Sequence, residues 1–123
     1  MTTSLTVGVL EAYERSSSIV IFDDDTKIAV VNQDSASISI VDFAETPEKI
    51  IEIPVGSRPQ SIAFGQTTKT LIVVNQNEDA LTFIDSESHS IIGQKKTGRG
   101  PFGVVTDSSK FYVSNQLDNS IDV

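Results

Sequence analysis

Val30-Val31-Asn32-Gln33 recurs letter for letter at Val73-Val74-Asn75-Gln76, and returns with one change at Val113-Ser114-Asn115-Gln116. Successive asparagines are 43 and then 40 positions apart. The agreement extends outward from these words. At a shift of 43, Ile38-Ser39-Ile40-Val41-Asp42 falls on Leu81-Thr82-Phe83-Ile84-Asp85, and Arg15 to Ile19 falls on Arg58 to Ile62. At a shift of 42, Val55-Gly56 falls on Thr97-Gly98, and Pro59 falls on Pro101. Such self-similarity marks a repeat array, in which each copy is one supersecondary unit that buries its faces against its neighbours.

Each copy reads as four short strands. In the second, Ser61-Ile62-Ala63-Phe64 leads through the polar turn Gly65-Gln66-Thr67-Thr68 into Leu71-Ile72-Val73-Val74. That β-branched run suits a strand covered on both faces. Asn75 to Asp79 turns the chain into Leu81-Thr82-Phe83-Ile84, and Asp85 is placed to bond the amides of Ser86-Glu87-Ser88 as an Asx turn. The fourth run, Ile91 to Lys96, is the most polar, as an outer edge should be. Helical periodicity is missing and Gly, Pro, Asn and Asp interrupt every long stretch, so the expectation is all-β.

At 123 residues and 38% hydrophobic content the chain has the size and apolar fraction of one domain. A net charge of −8 disfavours nucleic acid and anionic membrane surfaces as partners, because both reward a basic patch. Cysteine is absent, which removes disulfides and thiol chemistry and leaves the redox compartment unspecified. No segment approaches the roughly 18 apolar residues of a membrane helix, and the N-terminal stretch lacks the basic start of a signal peptide. Membrane insertion is therefore not expected.

The repeat resembles the YVTN-type β-propeller repeat of bacterial and archaeal surface-layer and exported proteins, related to the seven-bladed lactonase-like propellers. The residues that carry the likeness are Ile72-Val73-Val74-Asn75, Phe83-Ile84-Asp85 and the linker Val55-Gly56-Ser57-Arg58-Pro59. Ser16 stands where later copies have Pro59 and Pro101, and Thr97 replaces the valine before Gly98. The resemblance implies propeller blades of four antiparallel strands, with repeats at 16–58 and 59–100 and an incomplete one at 101–123. Residues 1–15, with Thr6 to Leu10 at their centre, would supply a ring-closing outer strand. A closed ring takes about four to eight blades, so the expectation is an incomplete ring of two and a half to three. It would be completed by remaining blades of a longer protein or by self-association; a smaller compact β-fold is the other alternative.

Function is far less marked. Gly98-Arg99-Gly100-Pro101-Phe102-Gly103 satisfies the dinucleotide pattern on paper, yet Val104-Val105-Thr106 continues it as a strand, whereas a phosphate site needs a helix N-terminus there. His89 reads as a solvated turn residue, and Asp23-Asp24-Asp25 as a hairpin turn without the alternating ligands of a calcium loop. No metal, cofactor or catalytic set is expected from spacing. The candidate binding residues are Arg15, Arg58 and Arg99, in or near the linkers, where several guanidiniums around a channel mouth would hold an anionic ligand. The resemblance implies a non-catalytic scaffold at the cell surface, in the periplasm or outside the cell, binding protein or ligand. Its alternative implication is part of a propeller enzyme, a lactonase-like hydrolase or a quinone- or heme-dependent oxidoreductase.

Overall fold

A computed structural model describes residues 14–15, 18–107 and 110–123, with the side chains of residues 14 and 15 excepted. Twelve strands run through them: β1 (Glu14–Arg15), β2 (Ile19–Phe22), β3 (Lys27–Asn32), β4 (Ser37–Asp42), β5 (Lys49–Pro54), β6 (Pro59–Gly65), β7 (Thr70–Asn75), β8 (Ala80–Asp85), β9 (Ile91–Lys96), β10 (Pro101–Thr106), β11 (Phe111–Asn115) and β12 (Ser120–Asp122). They form three antiparallel sheets: a front sheet β2-β3-β4-β5, a middle sheet β6-β7-β8-β9 and a rear sheet β1-β10-β11-β12. The all-β expectation holds, and no sheet closes on itself. The one helical turn among the described residues, Gln76–Glu78, is a 3-10 turn after β7.

The turns follow from their residues. Asp23, Asp24 and Asp25 all have positive φ, a conformation Asp tolerates better than most residues, and the Asp23 carboxylate pairs with Lys27 Nζ at 2.8 Å across the hairpin. The Asp85 carboxylate accepts from the Glu87 and Ser88 amides at 2.8 and 2.9 Å, and Asp42 accepts from the Ala44 amide at 2.9 Å. These are the Asx turns that the two Ile/Val-Asp endings imply.

The sheets pack face to face, and the middle one is buried on both sides. Alternation along its strands sends Ile62, Phe64, Leu71, Val73 and Ile84 one way, against Phe22, Ala29, Ile38, Ile40 and Ile53 of the front sheet. It sends Ala63, Ile72, Val74 and Leu81 the other way, against Val104 and Val113 of the rear sheet. A ring pair seals each interface, Phe22 with Phe64 at 5.3 Å and Phe83 with Phe111 at 5.5 Å between centroids. The two interfaces are made from equivalent repeat positions. Ala29 and Ile38 correspond to Ile72 and Leu81, while Ile62 and Val73 correspond to Val104 and Val113.

Thr6 to Leu10 lies outside the described residues. Glu14 and Arg15 pair with Thr106 and Val105, on the side of β10 away from β11, so β1 borders the first strand of the rear sheet.

Candidate functional site

The three asparagines of the repeated word end β3, β7 and β11, and all three are used alike. Each Nδ2 donates to the residue seven positions on, across the next strand: Asn32 to Ser39 Oγ at 2.9 Å, Asn75 to Thr82 Oγ1 at 2.7 Å and Asn115 to Asp122 Oδ2 at 3.0 Å. Asn32 and Asn115 also reach the hydroxyl five positions on, Ser37 and Ser120, where the second copy has Ala80. Asn75 and Asn115 are buried, and their Oδ1 atoms have no hydrogen-bond partner. Gly56 and Gly98 are required here, because a Cβ on Gly56 would strike Asn75 Cγ at 2.8 Å and one on Gly98 would strike Asn115 Nδ2 at 2.7 Å.

At this end of the sheets lie the linkers, residues 55–58 and 97–100, which carry the chain from one sheet to the next. Their bonding repeats as well. Val55 N donates to Ala36 O and Thr97 N to Asp79 O, both at 2.9 Å, while Gln76 N donates to Arg58 O at 3.1 Å and Gln116 N to Gly100 O at 2.9 Å. Side chains also cross between sheets, Gln33 Nε2 to Gln60 Oε1 at 3.1 Å and Ser61 Oγ to the Phe102 carbonyl at 2.7 Å.

The glycine-rich stretch 98–103 is bound by the protein's own acids. Gly98 N donates to Asp122 Oδ2 at 2.7 Å, Arg99 N to Asp118 Oδ2 at 2.9 Å and Gly100 N to Asp79 Oδ1 at 2.9 Å. Three successive amides that a pyrophosphate would need are therefore occupied by carboxylates, and β10 begins where the fingerprint needs a helix. The asparagine words were visible in the sequence. The carboxylate latch was not, because Asp79 and Asp118 reach the linker from turns about twenty positions away in either direction.

Arg58 and Arg99 are both exposed at this linker end, Arg58 immediately before β6 and Arg99 two positions before β10. They are not equivalent. Arg58 has φ 54, and the residue matching it is Gly100, with φ 66, so Arg99 leaves the linker one position earlier. Among the described residues neither guanidinium is in an ion pair. Arg15, in β1, pairs with Val105 near the far end of β10. The structure thus brings Arg58 and Arg99 to one end and sets the backbone of Arg15 toward the other.

His89 departs from the solvated-turn expectation. It takes a positive φ of 63 and its Nε2 is buried without a partner. Burial first, then the positive charges of Lys27 and Lys49, lower its pKa from the ordinary imidazole value. No group of three or more potential metal ligands converges among the described residues. A cleft of about 260 Å³ opens at the other end, between Thr68, Ile72 and Phe83 of the middle sheet and Thr106, Lys110 and Phe111 of the rear sheet.

Two of the carboxylates that accept from backbone amides, Asp118 in the latch and Asp85 in its turn, link stability to pH. The Arg99 amide, followed by the Ser120 hydroxyl, holds the Asp118 carboxyl below its ordinary pKa, and the Ser88 and Glu87 amides do the same for Asp85. A carboxylate whose pKa is depressed on folding stabilises above its unfolded value and loses that contribution as pH falls through the folded value. The urea midpoint is therefore expected to drop as pH falls below about 4. The Asp85→Asn, Asp118→Asn double variant should show a flatter decline; an unchanged profile would mean that neither group is linked to folding.

No protein-family model matches the chain, and no curated protein matches it. Among the described residues no helix is long and apolar enough to cross a membrane.

Proposed function

We propose that the chain is a non-catalytic repeat scaffold of the YVTN-type propeller class, its sheets serving as blades and its linker end as the binding surface for a protein or ligand. In this reading it works at the cell surface or in an exported protein. The observation that supports it best is the use of the same repeat positions in both sheet-to-sheet interfaces, with the same asparagine bond in all three copies. A rigid stack of that kind fixes the loops at one end, where binding residues are carried on a scaffold.

The charge of that end favours a cationic group over an anionic one. Asp79, Asp118 and Asp122 line the second linker and already fill its amides. Among the described residues Arg58 and Arg99, with Lys95 and Lys96 at the end of β9, oppose them, and the whole chain carries −8. The test is an amide-resolved NMR titration of the labelled chain, run in parallel with an oligolysine peptide and with inorganic phosphate. Oligolysine is expected to shift the amides of Gly56 to Arg58 and Gly98 to Gly100 and to leave those of β4 and β8 in place. Phosphate is expected to have little effect, in wild type and in Arg58→Ala, Arg99→Ala alike. Shifts caused by phosphate and lost in that double variant would assign the end to anions instead.

A further inference from the structure

Among the described residues both outer faces of the stack are apolar and exposed, and they are the two halves of an interface the chain has already made twice. On the front sheet, Ile21, Ile28, Val41 and Ile50 stand opposite one another in a single cross-strand row. Ile21 is 56% and Ile50 68% exposed. The same row in the middle sheet, Phe64, Leu71 and Ile84, is buried against the front sheet. On the rear sheet, Val105, Tyr112, Ile121 and Val123 occupy the positions of Ala63, Ile72, Leu81 and Phe83, which in the middle sheet pack against the rear one. There Ile121 is 71% and Val123 64% exposed. Open apolar faces of this kind mark association surfaces.

From this correspondence we infer that the front face of one chain docks on the rear face of a second copy, head to tail, and that two copies close into a ring of six sheets. The occupant follows from the faces themselves. A surface that repeats the front half of an existing interface, on a molecule whose opposite surface repeats its rear half, is complementary to its own copy. Six sheets fall within the about four to eight at which rings of such sheets close, and a head-to-tail contact that closes yields a finite assembly rather than a filament. The charge of −8 on each chain opposes the contact, so added salt strengthens it.

The inference rests on the stacked-blade reading, and light scattering coupled to size exclusion tests it separately. Wild-type chain is expected at the mass of two chains, with the two-chain fraction rising with salt. Ile21→Asp on the front and Ile121→Asp on the rear should each run as single chains with unchanged far-ultraviolet circular dichroism, with Ile50→Asp as a second front-face probe. An equimolar mixture of the front and rear variants should return to the two-chain mass, because one intact front still meets one intact rear. Wild type at single-chain mass, two-chain mass retained in all three variants, or a mixture that fails to associate would each overturn the inference. Single-chain wild type that still shows packing contacts between its sheets would overturn the docking alone and leave the blade reading standing.

Discussion

Leu71→Ala and Leu81→Ala should each destabilise the chain by about 2–5 kcal/mol, the range for truncating a leucine that cannot be refilled by its surroundings. Both residues are fully buried, on neighbouring strands of the middle sheet, yet they face opposite ways. Leu71 packs among Phe22, Ile40 and Ile84 in the front interface, and Leu81 among Val74, Val104 and Val113 in the rear one. A sheet with one wet face would make one of these substitutions cheap, since a surface leucine contributes within about 0.5 kcal/mol. Urea unfolding of the two variants decides the matter. Two large losses support burial on both faces, and a near-neutral value for either removes one interface.

The second large effect is expected from a change of one heavy atom. Asn75→Asp keeps the shape of the side chain but puts a carboxylate where the amide is fully buried. The new charge would lie beside the Gly56 position, which Glu78 Oε1 also borders, and would lose the Nδ2 donor that serves Thr82. Removing one partner so that a buried charge stands uncompensated costs about 3–5 kcal/mol. Asn115→Asp should behave similarly, because its Nδ2 now bonds Asp122 and an acid there would repel it. Asn32 is only half-buried and Ser39 Oγ can turn to donate to it, although Ser37 Oγ already donates to Glu52, so Asn32→Asp should be the mildest. The sign with pH is fixed by linkage. Burial and a neighbouring acid raise the folded pKa of the introduced acid, so the penalty is absent below its unfolded value near 3.9 and grows as pH rises toward the folded one. Urea midpoints of the three variants at pH 7 and pH 4 measure this, and equal losses at all three positions would contradict the graded burial.

How much of this was legible beforehand depends on the range of the interaction. The strands, the polar outer edge at Ile91–Lys96 and the Asx turns at Asp42 and Asp85 are set by neighbours in sequence, and the residues declare them. Burial of the middle sheet on both faces was readable in Leu71-Ile72-Val73-Val74, because four consecutive apolar residues alternate across a pleat and leave no face for water. The shared role of the asparagines was readable as a repeated word, though not as a bond to the residue seven positions on. Contacts between copies were hidden. The period gives equivalent positions, but not the offset with which one sheet stacks on the next. That offset carries Asp79 onto the Gly100 amide and brings His89 under the influence of Lys27 and Lys49. The unequal placement of Arg58 and Arg99 was visible as a slip of one place. Its meaning, that Gly100 is the true match of Arg58, needed the backbone angles.

The central claim is that three copies of one four-stranded motif stack face to face, with the second enclosed by the first and third. Methyl-to-methyl nuclear Overhauser contacts in a selectively labelled chain test it most directly. The account predicts contacts from Ile38 and Ile40 to Ile62, Leu71 or Ile84, and from Val104 and Val113 to Val74 or Leu81. Contacts running straight from Ile40 to Val113, or none between the copies, would contradict it.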